Sequence, residues 1–139
     1  MAITHKYTII CDDVRQENTA KLLLIGVYTG PIGVAQIPVT MPVGLTFFQN
    51  WESDRLGNFD MKMKIQHLES GHVLVEARGN MSVNQPGPIY APIRLAPLQF
   101  NAVGTYNLVI EIEGEREPVI VDFAVQLAVT MQQQTPQRR

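Results

Sequence analysis

The sequence predicts an all-β fold, an antiparallel β-sandwich of about eight strands in a single domain. Three observations carry this expectation. Several long stretches place apolar residues at every second position. Turn-forming residues recur roughly every ten positions. The same stretches lack the three- and four-residue apolar steps that a helix needs.

The clearest stretch runs through Phe59, Met61, Met63 and Ile65, which alternate with Asp60, Lys62, Lys64 and Gln66. Successive side chains of a strand point to opposite faces, so this segment has one apolar and one polar face. Tyr106, Leu108, Ile110 and Ile112 repeat the pattern, with Val109 as the exception on the polar side. Val119, Val121, Phe123, Val125, Leu127 and Val129 form a third such row. Together these rows predict a buried set that includes Phe59, Val121 and Leu127.

Taken in chain order, Tyr7 to Cys11 reads as a strand with Tyr7, Ile9 and Cys11 inward. Asp13 to Ala20 is a polar connection, in which Asp12 or Asp13 could cap a helical turn. Lys21 to Tyr28 is almost continuously apolar and reads as a central strand covered on both faces, or one bent at Gly26. Leu45 to Trp51 and Val73 to Val83 are further strands, with Gly79 in the inward register marking a bend or a close backbone approach. Ser70-Gly71 and Glu113-Gly114-Glu115 are turns between strands. Two proline-bearing segments, Pro31 to Gly44 and Gln85 to Pro97, read as loops or short edge strands, because proline cannot donate to a ladder. The domain is expected over residues 1–130, followed by a Gln-rich, aperiodic and disordered tail over 131–139.

The opening Tyr7-Thr8-Ile9-Ile10-Cys11-Asp12-Asp13-Val14-Arg15, the strand Lys21-Leu22-Leu23-Leu24-Ile25-Gly26-Val27-Tyr28 and the pair Ile37-Pro38 resemble a family of short uncharacterised bacterial and phage-borne proteins. The overlap is clear over about the first third of the chain. Ala20 stands where that family commonly has glycine, so the turn before Lys21 departs from its pattern. The resemblance implies a β-rich fold and no assigned activity.

Composition narrows the function classes. The chain has 139 residues, a net charge of −2 and 17% charged residues, fewer than the ~25% usual for soluble domains. No cluster of Lys and Arg marks a nucleic-acid footprint. No run approaches the ~18 apolar residues of a membrane helix, and the N-terminus lacks the charged and apolar regions of a secretory signal. One cysteine, Cys11, excludes an internal disulfide and a multi-cysteine metal site. The expectation is a cytoplasmic protein that binds neither membrane nor nucleic acid.

No catalytic residue is recognised. Cys11 falls in a strand's inward register, where a lone cysteine is a small hydrophobe. There is no nucleophile elbow and no phosphate-binding glycine loop. His67, His72 and Glu69 flank one turn, yet are too few for a closed metal site; no metal and no cofactor are expected. Asp12, Asp13 and Glu17 gather at a strand end, read as turn formers pairing with Arg15 or Lys21 rather than as a calcium ring. Tyr106 follows Gly104-Thr105 at the start of a strand, the place of a corner-tying tyrosine. The functional expectation is a non-enzymatic interaction or accessory module, with a protein partner or self-association through Tyr90, Ile93, Trp51 and Tyr28. The alternative is a ligand-binding sandwich for carbohydrate, or for calcium and lipid through strand-end loops.

Overall fold

In the computed structural model, which describes residues 2–128, the chain is all-β. Eleven strands and no helix are present among the described residues. In chain order they are β1 (Ile3–Gln16), β2 (Leu22–Val27), β3 (Ile32–Val34), β4 (Val39–Met41), β5 (Leu45–Ser53), β6 (Gly57–His67), β7 (Val73–Val83), β8 (Gly87–Leu95), β9 (Leu98–Phe100), β10 (Gly104–Ile112) and β11 (Val119–Leu127). They form a four-stranded sheet in the order β2-β1-β5-β8, a five-stranded sheet in the order β3-β11-β10-β6-β7, and the small pair β4-β9. The expected tail over 131–139 lies outside the described residues.

The inner faces of the two larger sheets share one apolar core. Phe47 of β5 meets Phe123 of β11 across the layers with ring centroids 6.0 Å apart. Phe123 stacks on Tyr106 at 5.8 Å, and Tyr106 meets Phe100 edge-on at 5.1 Å. The three strongest alternations became β6, β10 and β11, in the register their pattern requires: Leu108 pairs with both Ile65 and Val121. The Tyr106 hydroxyl donates to the Ala102 carbonyl four residues upstream, tying the β9–β10 corner. Burial of each large apolar side chain here is worth about 1.5–3 kcal/mol.

Several expectations are corrected. The strand count is eleven rather than about eight: the first proline-bearing segment supplies the short β3 and β4, and β9 follows just past the second. The architecture is also mixed, since β3 runs parallel to β11. The segment Lys21 to Tyr28 is not central: β2 is an edge strand whose side chains are mostly exposed. Gly26 does mark a local irregularity, with φ +69° and the Asp12 carboxylate seated where a Cβ would lie. In β1 the register is inverted. Ile10 and Thr8 face the core opposite Phe47 and Gln49, and Tyr7, Ile9 and Cys11 lie on the opposite face, where Cys11 is nonetheless fully covered. The pairing shifts between His5 and Tyr7, which returns His5 and Ile3 to the inner face.

Other corrections are local. Leu127 is 56% exposed, since β11 runs past the core at its end. Phe59 and Val121 are half-buried at the margins. No helical turn follows β1, which continues to Gln16 and then turns through Ala20 at φ +67°. Gly79 is not a close approach: a Cβ there would touch only the Met61 side chain at 4.0 Å.

Candidate interaction surfaces

The four residues expected to meet a partner fall in four environments. Tyr90 is 53% exposed on the outer face of β8. Ile93, three residues on, points to the opposite, inner face and packs half-buried against the core opposite Phe47. Trp51 is 1% exposed, buried in the core with its indole N–H donating to Gln49 Oε1 at 2.8 Å. Its position near a strand end suggested exposure; the inward register of β5 decided otherwise. Tyr28, just past β2, leans on the core while its hydroxyl donates to Asp12 Oδ1 at 2.8 Å. Burial and then that hydrogen bond push its phenol up to about 12.

Tyr90 belongs to a larger surface that the sequence did not single out. Outward-facing positions of β2, β1, β5 and β8 bring together Leu23, Ile25 and Val27, then Tyr7 and Ile9, then Phe48 beside Tyr90. All but Ile9 and Phe48 are exposed. Phe48 is 4% exposed because Tyr90 covers it. The signal is present in the apolar run of Lys21 to Tyr28, whose pattern equally fits a covered central strand. Contiguous apolar surface of this kind marks interaction sites more often than scattered single residues do.

Three charges at the centre of that face are ion-paired. Asp13 accepts from Arg15 at 3.0 Å and from Arg94 at 2.8 Å. The Arg15 hydrogen bond is the chief cause that holds the Asp13 carboxyl below its usual value. Thus the expected Asp13–Arg15 pairing is present, with Arg94 added from β8. Asp12 is taken by Tyr28, and among the described residues no three His, Cys, Asp or Glu side chains are grouped to hold a metal ion.

The other candidate groups are built into the fold. His67 stands at the turn between β6 and β7 and is buried there. Its Nε2 lies 3.0 Å from the Val103 carbonyl, which can only accept, so the proton sits on Nε2. Its Nδ1 then accepts from the Ser70 hydroxyl at 2.8 Å. Both ring nitrogens are therefore engaged, while His72 stays exposed across the turn. Cys11 is fully buried, and burial pushes its thiol up, away from the reactive thiolate.

A second surface lies between the sheets. β7 and β8 are consecutive strands placed in different sheets, each at an edge. The sandwiched space between them opens as a groove of about 430 Å³ lined by Met61, Met63, Gly79, Met81, Ile89 and Ile93, among others.

Residues 6–126 match the family described as "Family of unknown function (DUF6941)". A comparison with curated proteins finds no match. No helix among the described residues is long and apolar enough to cross a membrane.

Proposed function

The chain belongs to the family of unknown function DUF6941, and from that premise we propose that it is a non-enzymatic interaction module, a two-layer β-sandwich that self-associates through the outer face of β2-β1-β5-β8. One observation carries the reading: Tyr7, Leu23, Ile25, Val27 and Tyr90 are exposed on one continuous sheet face. Among the central charges of that face, Asp13 pairs with both Arg15 and Arg94, which leaves one positive charge in excess. A second copy would meet the exposed apolar side chains that flank this ion-paired cluster. The non-enzymatic part follows from what the reactive groups are doing. Asp12, Cys11 and His67 each serve packing or a hydrogen bond within the fold. A cytoplasmic setting is part of the proposal, in keeping with a lone, buried, unpaired cysteine.

The test is sedimentation equilibrium of the wild-type chain beside Ile25→Glu and Val27→Glu. Both positions are exposed on an edge strand, so neither change should lower the melting temperature appreciably. The expected result is a wild-type dimer that becomes a monomer in either variant. A wild-type chain that stays monomeric at high micromolar concentration would refute the proposal, as would variants that dimerise like wild type.

A further inference from the structure

The apolar face of β2-β1-β5-β8 has two unlike halves. Pairing of β1 with β5 ends at Cys11 and Thr46, whereas β2 pairs with β1 from Cys11 on to Gln16. Beyond Cys11 the sheet is therefore a two-stranded ribbon, and β2 has no other strand beside it. Its outward side chains are Val27, Ile25 and Leu23. Before Cys11 the sheet is three strands wide, and its outward positions form cross-strand rows. These are Ile9 with Phe48, then Tyr7 with Asn50 and Tyr90, then Thr4 with Glu52. A two-stranded ribbon is marginal in water by itself. One that exposes Leu23, Ile25 and Val27 gains most from a surface that covers it.

The two halves also differ in charge. On the ribbon, Asp13 is shared by Arg15 and Arg94, so one positive charge is in excess, and the Arg15 side chain is 70% exposed. Glu17 and Lys21, in the loop that joins β1 to β2, are opposite in sign and cancel. At the far end of the wide half lies a hollow of about 440 Å³, whose lining includes Thr4, Glu52 and Asp54. That lining holds two carboxylates and no cation. Neither carboxylate makes an ion pair among the described residues. Lys6, the residue left over where the β1–β5 pairing shifts, is not part of it.

The register relates the two halves. Arg15 lies five residues along β1 from Ile10, and Glu52 lies five along β5 from Phe47, the residue paired with Ile10. A two-fold axis running across the sheet at Ile10 and Phe47 therefore sets Arg15 at the level of the partner's Glu52. The same axis sets Ile25, paired with Asp13, at the level of the partner's Tyr7 and Tyr90. It sets Val27, paired with Cys11, at the level of the partner's Phe48. Every outward row of the ribbon thus meets an outward row of the wide half. Five residues of strand span about 17 Å. Aligned sheets cross at about 30°, which over that length moves a strand sideways by about two strand spacings, enough to carry β2 onto the partner's β1 and β5.

We propose that two copies dock about this axis, each laying its ribbon on the wide half of the other, with Arg15 in the hollow beside the partner's Glu52 and Asp54. The contact is isologous, so the Arg15–Glu52 pair is made twice. This inference rests on self-association through the outer face and adds to it a register and a charge pair that fixes that register.

The test uses sedimentation equilibrium of the full chain at low ionic strength, with Arg15→Glu, Glu52→Arg and an equimolar mixture of the two. Both side chains are exposed, so the melting temperature should hold in each variant. Alone, each variant sets like charges together twice per dimer, and its dimer should be about tenfold weaker or more. In the mixture, one copy of each kind makes two opposite-charge pairs, so a mixed dimer should form about as tightly as the wild type. Single variants that dimerise like wild type would overturn the proposal, as would a mixture no tighter than the variants alone. Either result leaves self-association standing. A monomeric wild type removes both readings together.

Discussion

Phe48 and Tyr90 stack nearly parallel on the outer face of the four-stranded sheet, their ring centroids 5.9 Å apart and their planes 17° from parallel. Among the described residues no second layer lies above Phe48, yet it is buried, with the partly exposed Tyr90 stacked on it. Phe48 therefore becomes exposed when Tyr90 is removed. Tyr90→Ala is expected to cost about 1 kcal/mol of stability from the lost pair and to weaken self-association in sedimentation velocity. A drop in melting temperature with unchanged association would leave Tyr90 a lid for Phe48 and nothing more.

Phe123 contacts both Phe47 across the core and Tyr106 beside it. Phe123→Ala is expected to destabilise by about 3–5 kcal/mol, because the rigid ring neighbours cannot collapse into the space. Urea denaturation measures this. A loss below about 1 kcal/mol would mean that β11 presents its other face to the core.

Arg55 joins two loops. Its Nη1 donates to Glu115 at 2.7 Å, its Nη2 donates to the Glu113 carbonyl at 3.0 Å, and its guanidinium lies 4.0 Å from the Phe59 ring centre. Gly114 completes the arrangement, since a Cβ there would collide with the guanidinium. Arg55→Ala is expected to cost about 2 kcal/mol, the worth of a charge-assisted hydrogen bond in a partly buried site. Arg55→Lys should not restore it, because an ammonium cannot form the fork and the stack together. Full rescue by lysine would reduce the interaction to a point charge.

Burial of the Tyr28 phenol, and then its hydrogen bond to Asp12, give stability an alkaline limit. Burial disfavours the phenolate and only the protonated phenol can donate, so its pKa rises from the ordinary 10 to about 12 in the folded chain. A group raised on folding contributes fully below its unfolded pKa and loses that contribution as pH climbs through the folded one. Stability should therefore fall between about pH 10 and 12, and fall less steeply in Tyr28→Phe. Absorbance titration of the phenolate band should show Tyr28→Phe losing a late-ionising tyrosine. If the phenol lost in that variant is one that ionises near pH 10, the hydrogen bond has no such effect.

Period-two patterning alone was enough to determine the all-β class and the inward faces of β6, β10 and β11. In those strands one face is polar, so only one register buries the apolar side chains. It also located the Tyr106 corner and the edge position of the proline-bearing β8, since both rest on local chemistry: a hydroxyl within reach of a nearby carbonyl, and a missing N–H. Where both faces of a strand carry apolar residues, the pattern is silent about which is inner. Tyr7, Ile9 and Cys11 are as apolar as Ile3 and Ile10, and only pairing with β5 and the shift near His5 selected the inner set. The same ambiguity hid the candidate surface. Leu23, Ile25 and Val27 satisfy the pattern of a covered central strand, yet the topology leaves β2 at an edge, with one sheet face uncovered among the described residues. Apolar character records that a side chain is better out of water; whether its own chain or another molecule covers it depends on long-range strand order, which local sequence does not encode. The groove is likewise a product of tertiary structure, made when two consecutive strands, β7 and β8, enter different sheets and open the core between them.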